Sequence, residues 1–288
     1  MKSLFAAVTM IVVGALVLTP STAGAQEVPS GATKESDEQR KWVPLFQRHA
    51  GEYVVRAGSE ANQLAPAQWL SEPVLRWSQP VRGGDDGALY LWLREGRPVA
   101  AVTFFTFKWP DGKRAIVHER HSLRLGTVEA EWRGREVWHT TKPGVTYEPV
   151  PSAAKPAATA SARMRQMHEI TRDFTARTVD DKDKDWPLRL LPKPLYRFEG
   201  STHDSLDGAL FALAQGTDPE AFLILDARGS AEARRWEYAV ARFTDRKVVV
   251  QYKDREVYAG RNTVGGTDEV YHSETVILKP SDKPEDFD

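Results

Sequence analysis

His118-Glu119-Arg120-His121 brings two imidazoles, a carboxylate and a guanidinium into four consecutive residues. The run resembles the helical zinc motif H-E-x-x-H but is one residue short of it. Two histidines bind one zinc from a helix only when they stand four apart, on one face. Here they stand three apart, and the surrounding Ala115–Leu123 alternates as a strand, which sends His118 and His121 to opposite faces. No metal and no cofactor is therefore expected. Glu119 and His121 share a face and could act as an acid–base pair. With His118 they form the candidate catalytic set of a hydrolase, although no nucleophile stands beside them. The plainer alternative is a row of polar groups on a solvated strand.

Other groups carry weaker chemistry. His203-Asp204-Ser205 holds the residue types of a triad, but adjacency does not create triad geometry, and no G-x-S-x-G occurs. Asp181-Lys182-Asp183-Lys184-Asp185 alternates carboxylates like the start of a calcium loop. It lacks the required glycine and the twelfth-position glutamate, so it reads as a solvated connector. Arg76 with Asp86, and Arg197 with Asp207, offer either an anion anchor or a structural ion pair. The structural reading is preferred, because a site needed once has little reason to appear twice. Without cysteine, thiolate chemistry and disulfides are both excluded.

These groups sit on a sequence that partly repeats itself. Pro73-Val74-Leu75-Arg76-Trp77 and Asp86-Gly87-Ala88-Leu89-Tyr90 return as Pro194-Leu195-Tyr196-Arg197-Phe198 and Asp207-Gly208-Ala209-Leu210-Phe211, at an offset of 121. Tyr53 aligns with Phe174. After a one-residue deletion the offset becomes 120, so Trp132 aligns with Tyr252. His118–His121 then faces Tyr238-Ala239-Val240-Ala241, which has none of its chemistry. Features shared by both copies are read as scaffold, and unshared ones as candidates for function.

The fold expected is α+β: two tandem similar units, each an N-terminal helix packed on a curled antiparallel β-meander. One helix starts near Ser36 and ends at Gly51. The second is capped by Ser161 and buries Met164, Met167, Ile170 and Phe174. Strand Ala88–Leu93 is apolar on both faces, with Leu89, Leu91 and Leu93 on one and Tyr90 and Trp92 on the other. Such a strand must be covered twice. A helix covers one side, and the other unit or a partner chain covers the second. Asp86-Gly87, Glu95-Gly96, Asp111-Gly112 and Arg133-Gly134 read as hairpin turns.

Residues 1–25 read as a signal peptide, with Lys2, an apolar run from Leu4 to Leu18 and the cleavage site Ala23-Gly24-Ala25. The remaining organisation is a linker at 26–36, a first repeat at 37–141, and a Pro/Ala-rich linker or surface strap at 142–160. A second repeat at 161–279 and a tail at 280–288 complete it. The expected destination is export, to periplasm or extracellular space, with no membrane span after cleavage. A net charge of −1 gives no electrostatic case for nucleic acid.

Leu190-Leu191-Pro192-Lys193-Pro194-Leu195-Tyr196-Arg197-Phe198, with Asp207–Ala212 and Gly216-Thr217-Asp218-Pro219-Glu220, resembles an uncharacterised family of exported planctomycete proteins. His118–Leu123 and Gly144–Pro151 resemble the first half of the same family. The resemblance implies export and a duplicated layout. It supplies no reaction, ligand or catalytic residue. The function expected is a non-catalytic exported binding or structural module of the envelope, whose partner is an unknown protein or small-molecule ligand. The alternatives are a carrier of an apolar ligand, in a pocket lined by Phe104, Phe105 and Phe107, and a hydrolase with its site in the first repeat.

Overall fold

The computed structural model describes residues 41–58, 64–79, 84–109, 111–200, 205–262 and 265–279. The expected signal peptide, first linker, C-terminal tail, helix start near Ser36, and His203 and Asp204 lie outside them. The described chain is an α+β protein of mostly antiparallel sheet with two helices. In chain order the first half contains α1 (Val43–Gly51), β1 (Tyr53–Gly58), β2 (Leu64–Pro66), β3 (Gln68–Trp69), β4 (Leu75–Gln79) and β5 (Gly84–Arg94). It continues with β6 (Arg97–Lys108), β7 (Arg114–Ser122), β8 (Val128–Trp132) and β9 (Arg135–His139). After β10 (Glu148–Pro149) come α2 (Ala160–Thr171), β11 (Phe174–Val179), β12 (Asp185–Leu190), β13 (Tyr196–Glu199) and β14 (Ser205–Gln215). The chain ends with β15 (Asp218–Arg228), β16 (Arg235–Arg242), β17 (Lys247–Tyr252), β18 (Arg255–Ala259) and β19 (Tyr271–Ile277).

One sheet runs β2-β1-β8-β9. A second runs β19-β7-β6-β5, with β3 and β4 both on β5. A third runs β10-β16-β15-β14-β12-β11-β17-β18, with β13 also on β14. In that third sheet β12 pairs with both β11 and β14, which curls it. The tight hairpins follow backbone chirality. Glu95-Gly96, Arg133-Gly134 and Lys253-Asp254 each place two successive residues at positive φ, as primed turns require.

Asp86-Gly87 does not turn, contrary to the sequence expectation, and neither does its repeat counterpart Asp207-Gly208. They lie inside β5 and β14, beside register shifts. The glycines have a different purpose. Gly87 is the direct cross-strand partner of Trp77, and Gly208 of Phe198. The rings occupy the space above the bare Cα atoms, where any added Cβ would overlap ring carbons.

Pro44 sits in the first turn of α1, where its missing N–H costs nothing. For α2 the cap is Thr159 rather than Ser161: its hydroxyl accepts from the Ala162 N–H at 3.3 Å. The strap at 142–160 was expected to stay on the surface, yet it enters two cores through buried Val145 and Val150. Between them β10 pairs with β16.

Three apolar layers result. The first half packs α1 residues Leu45 and Phe46 on Tyr90, Trp92 and Phe104. In the second, Met167 and Ile170 of α2 pack on Phe211, Leu213 and Leu223. Between the halves, Leu89, Leu91 and Leu93 meet Leu210, Phe222 and Ile224. The two-faced strand is thus covered by a helix and by the other half. An ion pair crosses the same seam: Arg97 of β6 bonds Asp226 of β15 and donates to Ser205 Oγ at 2.6 Å.

Gly87→Ala and Gly208→Ala should each lower unfolding free energy by about 1–3 kcal/mol, the usual cost of overpacking. Urea denaturation measures this. Unchanged midpoints would show that the rings can move aside freely.

Candidate functional site

β7 divides the four consecutive titratable residues His118–His121 between two interiors. His118 and Arg120 point toward α1, while Glu119 and His121 point toward β19 and the seam. His118, Arg120 and His121 are buried, so the solvated-strand alternative does not hold for them.

On the α1 side the polar side chains form one continuous line. Arg120 Nε donates to the Tyr53 hydroxyl at 2.9 Å, and Arg120 Nη2 donates to Glu274 of β19 at 2.6 Å. Having accepted from arginine, the Tyr53 hydroxyl donates to His118 Nδ1, 2.8 Å away. This sets His118 as the Nε2–H tautomer, donating to His49 Nδ1 at 3.0 Å. Trp132 and Phe104 pack edge-on against the His118 ring, with centroids at 4.9 and 4.8 Å. Burial, then the Arg120 charge, holds His118 well below the usual imidazole value, so the ring is neutral. Burial pushes the Tyr53 hydroxyl up to about 12 despite Arg120.

On the seam side, the Tyr271 hydroxyl donates to Glu119 Oε1 at 2.8 Å, and the Arg242 guanidinium lies 4.6 Å from the Tyr271 ring. Burial of its carboxyl, then the charge of Asp218, pushes Glu119 well above the usual carboxylate range. His121 Nδ1 donates to the Ser122 carbonyl at 2.6 Å, and burial lowers its pKa to about 3. Among the described residues no hydrogen bond or ion pair joins Glu119 to His121. Each is engaged by a different neighbour.

The other sequence candidates are also taken up by the scaffold. Ser205 Oγ donates to Asp226 Oδ1 at 2.6 Å. Arg197 holds buried Asp207 through two nitrogens, at 3.0 and 2.6 Å, and Arg163 of α2 adds a third bond at 2.6 Å. The first-half counterpart, Arg76 to Asp86, is longer at 3.4 Å. Both match the structural reading. In the acidic connector Asp180 is the organiser, accepting from the N–H groups of Lys182 and Lys184 and from the Trp186 indole. Among the described residues no three His, Asp or Glu side chains are placed to hold a metal ion. Phe104 belongs to the α1-side core, and by alternation Phe105 and Phe107 face the other way, so the three do not line one pocket.

The residues that sequence reasoning missed are His49, Tyr53, Arg120 and Glu274. A signal for three of them was present. At the repeat offset, His49, Tyr53 and Arg120 align with Ile170, Phe174 and Val240, while His118 aligns with Tyr238. All four second-half residues lie in the apolar core under α2. Trp69 and Tyr90 likewise align with Leu190 and Phe211. The same positions are polar in one half and apolar in the other. No family model, curated protein or solved structure matches the chain.

The buried groups predict a two-sided pH profile. Unfolded histidine protonates near pH 6.5, whereas His118 and His121 in the fold refuse the proton. The unfolded chain then binds more protons, so stability falls as pH drops from about 6.5 toward 3. Glu119 acts oppositely: its stabilisation is full below the ordinary carboxylate value and is lost as pH rises through its raised pKa. Urea unfolding across pH should give a shallower acid limb for His121→Asn and a shallower upper limb for Glu119→Gln. Profiles identical to the parent would contradict both assignments.

Proposed function

We propose that the protein is a non-catalytic exported binding module, built from two tandem similar units, in which the first unit carries the specialised interior. Support for the duplication comes from register. Tyr53 pairs with Trp132 as Phe174 pairs with Tyr252, Leu89 with Thr103 as Leu210 with Ile224, and Trp69 with Trp92 as Leu190 with Leu213. The apolar run and A-x-A site at the N-terminus support export.

The observation that carries the binding role is the polar line His49–His118–Tyr53–Arg120–Glu274. Burying such groups costs free energy that packed apolar side chains avoid. The second unit holds the same strand pairing without them, so the fold does not require them. A catalytic role has less support, because His118, Glu119 and His121 are each satisfied by scaffold partners and none activates a nucleophile.

One further observation favours a small-molecule occupant with hydrogen-bond acceptors. Trp69 Nε1, Tyr90 OH, Arg120 Nη1 and Trp132 Nε1 of the first unit are buried and have no partner among the described residues, and Trp236 Nε1 in the second unit's core is in the same state. Buried donors left unmatched in a native fold call for water or a ligand.

The test exchanges one interior for the other. The variant His49→Ile/Tyr53→Phe/His118→Tyr/Arg120→Val carries the second unit's residues at first-unit positions. Its unfolding free energy should equal or exceed the parent's, by up to about 4 kcal/mol. Any small molecule retained by the parent in native mass spectrometry should be lost. A variant several kcal/mol less stable would make the polar line structural and remove the proposal's main support.

A further inference from the structure

The two halves are joined by more than the chain that links them. β10 follows the first half's meander and pairs with β16 of the second. β19 follows the second half's meander and pairs with β7 of the first, along seven residues from Tyr271–His121 to Ile277–Ala115. The two crossings occupy equivalent registers. Glu148 lies opposite Tyr238, and Glu274 lies opposite His118, the residue aligned with Tyr238. Val150 enters the core under α2, and Val276, two residues beyond Glu274, packs on the core under α1. Each half therefore completes its sheet with a strand that belongs, in sequence, to the other.

We infer that the β7 edge is a strand-accepting site that takes β19 from a second copy of this chain as well as from its own, giving a strand-exchanged dimer. The contacts that hold β19 are indifferent to the chain that supplies it. They are the seven-residue ladder, Glu274 on Arg120, Tyr271 on Glu119, and Leu278 in the α1-side core. Residues 267–270 are themselves hydrogen-bonded to the first half, through the N–H groups of His139, Thr141 and Ser122 and the Trp138 indole, so covalent continuity enters through residues 260–266, which contain no helix or strand among those described and carry Gly260, Gly265 and Gly266. Gly265 sits at φ 70°. A connection of this kind serves as the hinge through which identical elements exchange. In the dimer, the second copy supplies Glu274 to the polar line and Tyr271 to Glu119, so neither cluster is complete without it. The inference stands on strand pairing alone and is independent of what the interior binds.

The absence of cysteine gives a clean probe. Val117 and Thr275 are direct cross-strand partners, and Val117 is buried, so a cysteine there cannot react through surface collision. One preparation carries Val117→Cys and another Thr275→Cys. Mixed in the native state and oxidised, they should stay as single chains. Unfolded together in denaturant, refolded at high concentration and then oxidised, they should yield a disulfide-linked species of twice the chain mass, rising with protein concentration. The doubly substituted single chain, Val117→Cys/Thr275→Cys, should close its own disulfide at low concentration. Closure in the double variant without any mixed dimer at any concentration would overturn the inference. Failure of the double variant to close would overturn it too, because β19 would then not lie on β7.

Discussion

A strand that is apolar on both faces cannot rest against one neighbour, and the architecture follows from that constraint. β5 sends Tyr90 and Trp92 to α1 and Leu89, Leu91 and Leu93 to the other half. β14 does the same, with Phe211 and Leu213 toward α2 and Leu210 and Ala212 toward the seam. Each fully buried side chain of this size is worth about 1.5–3 kcal/mol relative to exposure. Exposing either seam face would forfeit several such contributions and strip the cover from buried Asp226 and its arginine partner. The halves are thus each other's second layer.

Within that frame β7 is an unusual strand. Its neighbouring residues deliver polar groups to two separate interiors, and both groups are anchored by β19. The α1-side line is directional. Arg120 cannot give up its proton, so it fixes the orientation of Tyr53, which fixes the tautomer of His118, which fixes what His49 accepts. Such a line has one low-energy arrangement, whereas an apolar core tolerates many repackings. The second half, with Ile170, Phe174, Tyr238 and Val240 in place of the line, has no comparable constraint.

Much of the fold was legible in the sequence, because its signals are local. Alternation located β7 to within a residue, and the two-faced character of β5 foretold both of its covers. Three features were misread where a local signal had a tertiary cause. Asp-Gly resembles a hairpin corner, but Gly87 and Gly208 are glycine because Trp77 and Phe198 lie across them. Ser161 looked like a cap, but Thr159, two residues earlier, caps the helix. The proline-rich strap gave no sign that Val145 and Val150 would be buried. Of the candidate site, the opposite facing of His118 and His121 was legible from the strand period. The polar line was not, since its members come from α1, β1, β7 and β19, with Arg120 and Glu274 separated by 154 residues. Only the contrast between aligned columns could have exposed it.

The placement of β19 also bears on the order of events during synthesis. The first half leaves the ribosome first, yet its main sheet lacks an edge strand, and Arg120 lacks its carboxylate, until the last described residues have emerged. Long-range pairings of this kind delay completion, since loop closure precedes the contacts that reward it. The half made earliest is therefore finished last. Until β19 arrives, β7 keeps one edge open.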